Sequence, residues 1–179
     1  MRRHRRTLGI PLILAAFWLA HYRPRYLIQS FVLVAVGEMI RIWAAGHLRK
    51  NQILTTGGPY RFIRNPLYLG SFLIAIGFCL VANSIWVWLL VAAYFALCYI
   101  PVIRQEESVL REKFPGEYRF YSAAVPALYP TLLLYSNPST EFSWWQVGRN
   151  KEYNAVLGIL VAYAYLIFRV GKLLKSFLL

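Results

Sequence analysis

Residues 68–103 read YLGSFLIAIGFCLVANSIWVWLLVAAYFALCYIPVI, a stretch without one charged side chain, broken near its middle by Asn83-Ser84. A helix on the surface of a soluble domain shows a polar stripe every turn. These two halves show none, so each is expected to be a helix surrounded by apolar material on all sides. Two intervening residues allow only a tight antiparallel hairpin and leave no room for an inserted domain.

Three more apolar runs lie outside this pair, at 8–20, 27–45 and 153–170, which makes five with 68–82 and 85–103. At 1.5 Å rise per residue a 30 Å hydrocarbon core needs about 20 helical residues. The runs at 8–20 and 68–82 fall short and call for flanking Tyr, Trp or Arg that snorkel, or for a thinner bilayer. Hydrophobic types make up 59% of the 179 residues and charged types 15%, against roughly 45–50% and 25% in soluble domains. The expected fold is all-α, one polytopic membrane bundle of about five transmembrane helices forming a single domain over residues 1–179. Met-Arg-Arg-His-Arg-Arg before the first run looks like a signal peptide's start, yet no Ala-x-Ala comes after it, so the run is expected to stay as a span.

Twenty Lys and Arg against seven acids give a formal charge of +13. In a soluble protein this would point to nucleic acid; here an anionic lipid surface is the expected partner and no nucleic acid is. With the N-terminus in the cytoplasm, fourteen basic residues fall inside: four in 1–6, then Arg49, Lys50, Arg61, Arg64, Arg104, Arg111, Lys113, Arg119, Arg149 and Lys151. Five fall outside, namely Arg23, Arg25, Arg169, Lys172 and Lys175, while Arg41 sits within a run. This excess favours an N-in, multi-pass protein, expected in a bacterial inner membrane.

All seven acids are Glu, at 38, 106, 107, 112, 117, 141 and 152, and the only histidines are His4, His21 and His47. Asp-based chemistry, a Ser-His-Asp triad and an HExxH helix are therefore unavailable. Cys79 and Cys98 lie in apolar runs, so neither disulfides nor a cysteine metal site is expected. No metal is called for. Chemistry must come from Glu, Arg, Tyr and backbone groups.

The polar residues form two pieces that the hairpin places on one side: a Gly- and Pro-rich loop at 46–66, and a stretch at 104–151. Function is expected where they meet. Charge spacing in 104–120 predicts a helix continuing the fourth run past Pro101 and stopped by Pro115-Gly116. Residues 121–135, apolar with Pro126 and Pro130 inside, read as an interfacial strip, and Trp144-Trp145 as an interface anchor. Glu38 and Arg41, three apart in the second run, either neutralise one another or mark an intramembrane site.

Gly58-Pro59-Tyr60-Arg61-Phe62-Ile63-Arg64-Asn65-Pro66-Leu67-Tyr68-Leu69-Gly70 resembles the GxYxxxRHPxYxG segment of isoprenylcysteine carboxyl methyltransferases and related membrane methyltransferases. Glu106-Glu107-Ser108-Val109-Leu110, then Phe114, Tyr118, Tyr121 and Val125-Pro126, is similar to that family's EExxLxxxFGxxYxxYxxxVP segment, and Gly37-Glu38-Met39-Ile40-Arg41 to its GExxR. The resemblance covers about residues 30–130. Asn65 stands where the isoprenylcysteine enzymes have His, and Asn65 to Ser71 looks like the phospholipid N-methyltransferase branch. Val102 stands where the isoprenylcysteine enzymes carry a substrate-holding Arg, leaving Arg104 as the nearest candidate.

The resemblance implies an integral-membrane methyltransferase that takes its methyl group from S-adenosyl-L-methionine, bound in a cytoplasmic region, and passes it to a lipid or lipid-like substrate. By resemblance the cofactor is held by Gln52, Ile53, Leu54, Thr55, Tyr60, Asn65, Pro66, Leu67, Tyr68 and Glu106. The residue chemistry agrees in kind: a Glu holds an ammonium group, Gly57-Gly58-Pro59 folds tightly, and Tyr60 and Tyr68 offer flat faces to adenine or sulfonium. Glu107 is the candidate base or orienting group, Arg64 a bidentate holder of carboxylate or phosphate, and Arg104, Glu38 and Arg41 the candidate substrate residues. The acceptor stays open among a phospholipid amine, a prenylated thiol or carboxylate, and a small thiol. The competing class is a non-catalytic membrane protein, a small transporter or assembly subunit, although no internal repeat is visible.

Overall fold

A computed structural model describes residues 18–50 and 52–178, with side chains as far as Gly171. The first apolar run and the basic residues before it lie outside the described residues, apart from Trp18, Leu19 and Ala20. Within them the chain is helical and shows no strand: α1 (Leu27–His47), α2 (Pro66–Ala82), α3 (Ile85–Lys113), α4 (Pro115–Ala124), α5 (Trp144–Arg149) and α6 (Tyr153–Leu178). Three of these are long and apolar enough to cross a membrane: α1 with its preceding turn (Pro24–His47), α3, and α6 over Tyr153–Gly171. The expected helical membrane bundle is thus the observed architecture.

α2, with 17 residues, is a shorter apolar helix. It runs antiparallel to α1 at close range, because Gly37 faces Gly70 and Gly77 faces Val34 and Ser30. A Cβ added at Gly37 would sit 2.6 Å from the Gly70 carbonyl oxygen, so the backbones approach as no larger pair of residues permits. Pro66 opens α2 at its first position, where the missing N–H costs nothing. Asn83, in the left-handed conformation at φ 45°, closes it, and its N–H donates to the Cys79 and Leu80 carbonyls. The expected hairpin comes directly after it. Phe72 and Tyr68 pack edge-on against Phe95 and Tyr99, both pairs at 5.3 Å between centroids, so α2 and α3 are antiparallel neighbours.

α3 is one continuous helix with a π-turn at Phe95–Tyr99 just before Pro101, which removes a backbone donor from the ladder. It ends at Lys113, and Pro115 both stops it and begins α4. One expectation is corrected here: residues 121–124 belong to α4, and the irregular strip starts only at Val125. The Tyr118 and Tyr121 rings pack with Leu54 and Val125 and hold this last turn of helix in place. α6 also runs further than the apolar run at 153–170, to Leu178.

α1 ends, α2 begins, α3 ends and α6 begins at the same end of the bundle. Asn150 beside α6 donates to the Ala45 and Leu48 carbonyls of α1. At the other end His21 and Arg23 donate backbone hydrogen bonds to Ala82 and Val81 of α2, and Tyr22 packs with Val81, Leu166 and Val170. Both polar pieces, 48–65 and 114–152, therefore gather at one end.

Candidate active site

Residues 61–65 run into α2 beneath α4 and the irregular strip beyond it. Arg64 is the chief tie. Its backbone N–H donates to the Pro126 carbonyl at 2.9 Å, its Nη1 to the Ser122 carbonyl at 2.8 Å, and its Nη2 lies 3.0 Å from Glu107 Oε1. Asn65 occupies the N-cap position but leaves the capping bond unmade; its Nδ2 reaches instead to the Ala127 carbonyl at 3.1 Å and to Glu107 Oε1 at 3.3 Å. One turn on, the Tyr68 hydroxyl donates to Glu106 Oε2 at 2.9 Å. The start of α2 thus meets the end of α3 through two adjacent glutamates, each with its own partner.

The loop ahead of Tyr60 is held from the far end of the strip. Thr56 N–H donates to Ser139 Oγ, Ser139 N–H to Thr56 Oγ1, and the Thr56 hydroxyl to the Asn137 carbonyl. Leu54 and Thr55 are buried, whereas Ile53 is exposed. Gly58, at φ +56°, lies against the buried His47 ring, a position only a residue without a Cβ fills without strain. The Gly-Pro turn is therefore covered on this side rather than left open.

Tyr60 is buried, and burial foremost, with Tyr121, Glu106, Glu152 and Tyr68 behind it, lifts its hydroxyl far above the ordinary phenol range. Burial likewise raises Tyr118, with Glu107 adding to it, and raises Tyr121 against the opposing pull of Arg64. The Tyr121 hydroxyl donates to the Tyr60 carbonyl at 2.7 Å. Tyr60 marks the boundary between two clusters, Glu106 on one side and Glu152 on the other.

In the second cluster Glu38 and Arg41 do pair, at 3.5 Å, but Arg41 Nη2 lies 2.5 Å from Glu152 and Nη1 donates to Ser71 Oγ. Nη1 and Nη2 are thus engaged, whereas Nε meets Glu38 at ion-pair distance without a hydrogen bond. The sequence does not single out Glu152: it sits between a short helix and α6 in a segment with no motif, and only the fold brings it to Arg41. Glu38 and Glu152 are both buried.

The structure thus brings together Tyr60, Arg64, Asn65, Pro66, Leu67, Tyr68, Glu106 and Glu107, with Leu54 and Thr55 next to them. It leaves Arg104 exposed on α3 with no ion pair among the described residues. Gln52 lies apart, in a cavity of about 200 Å³ that it lines with Lys50, Gln146, Arg149 and Asn150. A second cavity, of about 180 Å³, lies between Leu54, Thr56, Glu117 and Ser139. Both are smaller than the roughly 300–1,000 Å³ of sites that enclose a cofactor-sized molecule. The donor set nonetheless fits S-adenosylmethionine at one point: Glu106 is half-buried, one oxygen held by Tyr68 and the other without a protein donor among the described residues, which suits an ammonium group.

Residues 4–117 match the family model described as phospholipid methyltransferase. The chain belongs to that family. Among individual relatives, it is 34% identical over 140 residues to the cobalt-zinc-cadmium resistance protein CzcN of Cupriavidus metallidurans, a match covering 73% of this chain and 64% of that protein. It is 37% identical over 109 residues to the nickel-cobalt-cadmium resistance protein NccN of Alcaligenes xylosoxydans, covering 60% of this chain and 51% of that one. It is 27% identical over 105 residues to protein-S-isoprenylcysteine O-methyltransferase of Schizosaccharomyces pombe, covering 59% and 44%. The chain spans less than two thirds of the length of each of these relatives. No solved structure matches it. The phospholipid methyltransferase match spans α1, α2 and α3 entire, and the last two of these, with the N-cap of α2, carry Asn65, Tyr68, Glu106 and Glu107.

Proposed function

We propose that this member of the phospholipid methyltransferase family is an integral-membrane methyltransferase that uses S-adenosylmethionine and a lipid-soluble acceptor. The observation that carries the reading is the meeting of Asn65 and Tyr68 with Glu107 and Glu106 where α2 begins and α3 ends. When bound, the cofactor supplies a methyl carbon already activated by a sulfonium charge. What remains for the protein is to align the acceptor with that carbon and to exclude water. Glu106 holds the ammonium group, Tyr68 fixes the orientation of that carboxylate, and Leu54 to Tyr60 wall the site. Glu107, shared by Arg64 and Asn65, positions the loop that carries them. An amine acceptor loses a proton before attack, and Glu107 is the candidate carboxylate to take it.

Among acceptors the arrangement favours a lipid amine over a prenylcysteine carboxylate. A carboxylate needs a free cation, and burying it without one costs several kcal/mol. Val102 supplies none, Arg41 is taken by Glu38, Glu152 and Ser71, Arg64 by Glu107 and Ser122, and Arg104, which has no ion pair among the described residues, is exposed on α3 rather than gathered into either glutamate cluster. The exposed apolar strip, with Leu132 at 99% and Leu133 at 80%, gives such a lipid an apolar border beside Asn65.

Three measurements test this. Glu106→Gln should weaken S-adenosylhomocysteine binding about ten-fold or more in calorimetry, since a hydrogen bond to a charged group contributes roughly 1.5–3 kcal/mol; unchanged affinity in a folded variant removes Glu106 from the site. Native membranes given radiolabelled cofactor should label lipids rather than protein or volatiles. Turnover of N-acetyl-farnesylcysteine that disappears in Arg104→Ala would reverse the choice of acceptor. Absence of any S-adenosylhomocysteine binding would favour the second reading, a non-catalytic membrane subunit, which draws on the names of the two metal-resistance relatives.

A further inference from the structure

The cavity of about 200 Å³ at Lys50, Gln52, Gln146, Arg149 and Asn150 stands apart from the glutamate clusters, and no carboxylate lines it. Two of its walls are cationic and three carry amides. Gln146 is only 6% exposed, yet its side-chain amide has no hydrogen-bond partner among the described residues. Its amide atoms line the cavity and keep access to water there, so the amide is free to donate to a polar ligand that enters. Asn150 cannot be that ligand's substitute, since its Nδ2 is committed to the Ala45 and Leu48 carbonyls. The Arg149 guanidinium is steadied 5.2 Å above the Trp145 ring.

Place in the bundle narrows the ligand. One wall adjoins the end of the membrane-crossing helix α1, and the other immediately precedes the membrane-crossing part of α6. The cavity thus lies at the boundary of the membrane, the depth at which lipid phosphates lie, with Trp144 and Trp145 exposed beside it in the manner of interface residues. Its volume takes a phosphate group and a few waters, at roughly 30 Å³ per water, and no cofactor-sized molecule.

We propose that this cavity holds the phosphate of a phospholipid headgroup, gripped by Lys50 and Arg149 and completed by the Gln146 amide. It lies beyond the methyl-transfer reading and stands whether or not the chain is a catalyst. Basic pockets beside membrane helices hold anionic headgroups by this pairing of point charge and hydrogen-bond donor.

Native mass spectrometry on the full chain in detergent tests it, with phosphatidylglycerol as probe and a galactosyl diacylglycerol, which lacks phosphate, as control. The wild type should retain phosphatidylglycerol and not the galactolipid. Lys50→Gln and Arg149→Gln should each weaken retention about five-fold, Gln146→Leu should weaken it further, and Lys50→Arg should restore it, which separates the site from a folding defect. Equal retention of both lipids, or unchanged phosphatidylglycerol in the double Gln variant, overturns the proposal. Retention of inorganic phosphate without the lipid assigns the cavity to a free anion and overturns the lipid. S-adenosylhomocysteine affinity should be the same in wild type and double variant; a parallel loss would make the cavity part of the cofactor site and overturn the proposal as well.

Discussion

Arg64 and Glu107 are each less than one-fifth exposed, and each is the other's only charged partner among the described residues. Glu107→Gln therefore strands a mostly buried guanidinium and should destabilise the protein by about 1–3 kcal/mol, read as a fall in thermal midpoint in detergent. Replacing both partners by apolar residues should recover part of that loss, as a double-mutant cycle would measure. Tyr60, Tyr118 and Tyr121 set a pH limit on the same region. Their folded-state values lie above that of an unfolded phenol, about 10, so the folded protein holds these protons more tightly. Their contribution to stability is complete below about pH 10 and is lost as pH rises beyond it. An ultraviolet titration should show these three ionising only above pH 10, together with loss of near-ultraviolet circular dichroism; earlier ionisation without unfolding would contradict the burial. Asn65, Tyr68, Glu106 and Glu107 were legible because they recur at fixed spacing within short segments. Glu152 and Gln146 were not, because their surroundings are made by residues about a hundred positions away in the chain.

Helices α1 and α2 meet through glycine, and this contact sets the height at which Arg41 faces Ser71 and Glu152. Gly37→Ala would place a methyl group 2.6 Å from the Gly70 carbonyl oxygen and 2.9 Å from Ile74, against backbone that has no free direction to move. A cost of about 1–3 kcal/mol is expected, and, on the proposed function, weaker S-adenosylhomocysteine binding as α2 shifts; a thermal midpoint equal to wild type would show the contact to be loose. The π-turn in α3 acts in the same way on the other side of the site. One extra residue in a turn rotates the remainder of the helix by about 100°, and Glu106 lies beyond it, on the face that Tyr68 reaches. Apolar run length made the long helices and the hairpin legible. The π-turn, α5 and the end of α4 were not: they depend on Pro101, on the packing of Tyr118 and Tyr121, and on Asn150 reaching α1, none of which leaves a periodic signal.

The molecule is polarised. One end carries short links, Asn83-Ser84 and the Arg23 to Val81 contact, and the other carries both long polar pieces and every glutamate of the two clusters. A chain whose polar mass lies at a single end can present its candidate site to only one aqueous compartment, and the placement of Lys and Arg chooses which. Among described residues the loop end holds Arg49, Lys50, Arg61, Arg64, Arg104, Arg111, Lys113, Arg119, Arg149 and Lys151, whereas Arg23, Arg25 and Arg169 lie at the opposite end. Such an excess argues for the loop end in the cytoplasm, the compartment in which S-adenosylmethionine is made and the one where lysines and arginines near spans are retained. A reporter inserted near Arg111 should be active on the cytoplasmic side and one fused after Lys175 on the far side. Replacing Arg111, Lys113 and Arg119 by Gln should weaken that bias without moving Glu106 from Tyr68. The reverse reporter pattern in the wild type would put the candidate site on the side away from the proposed cofactor, and the methyltransferase reading would fall with the topology.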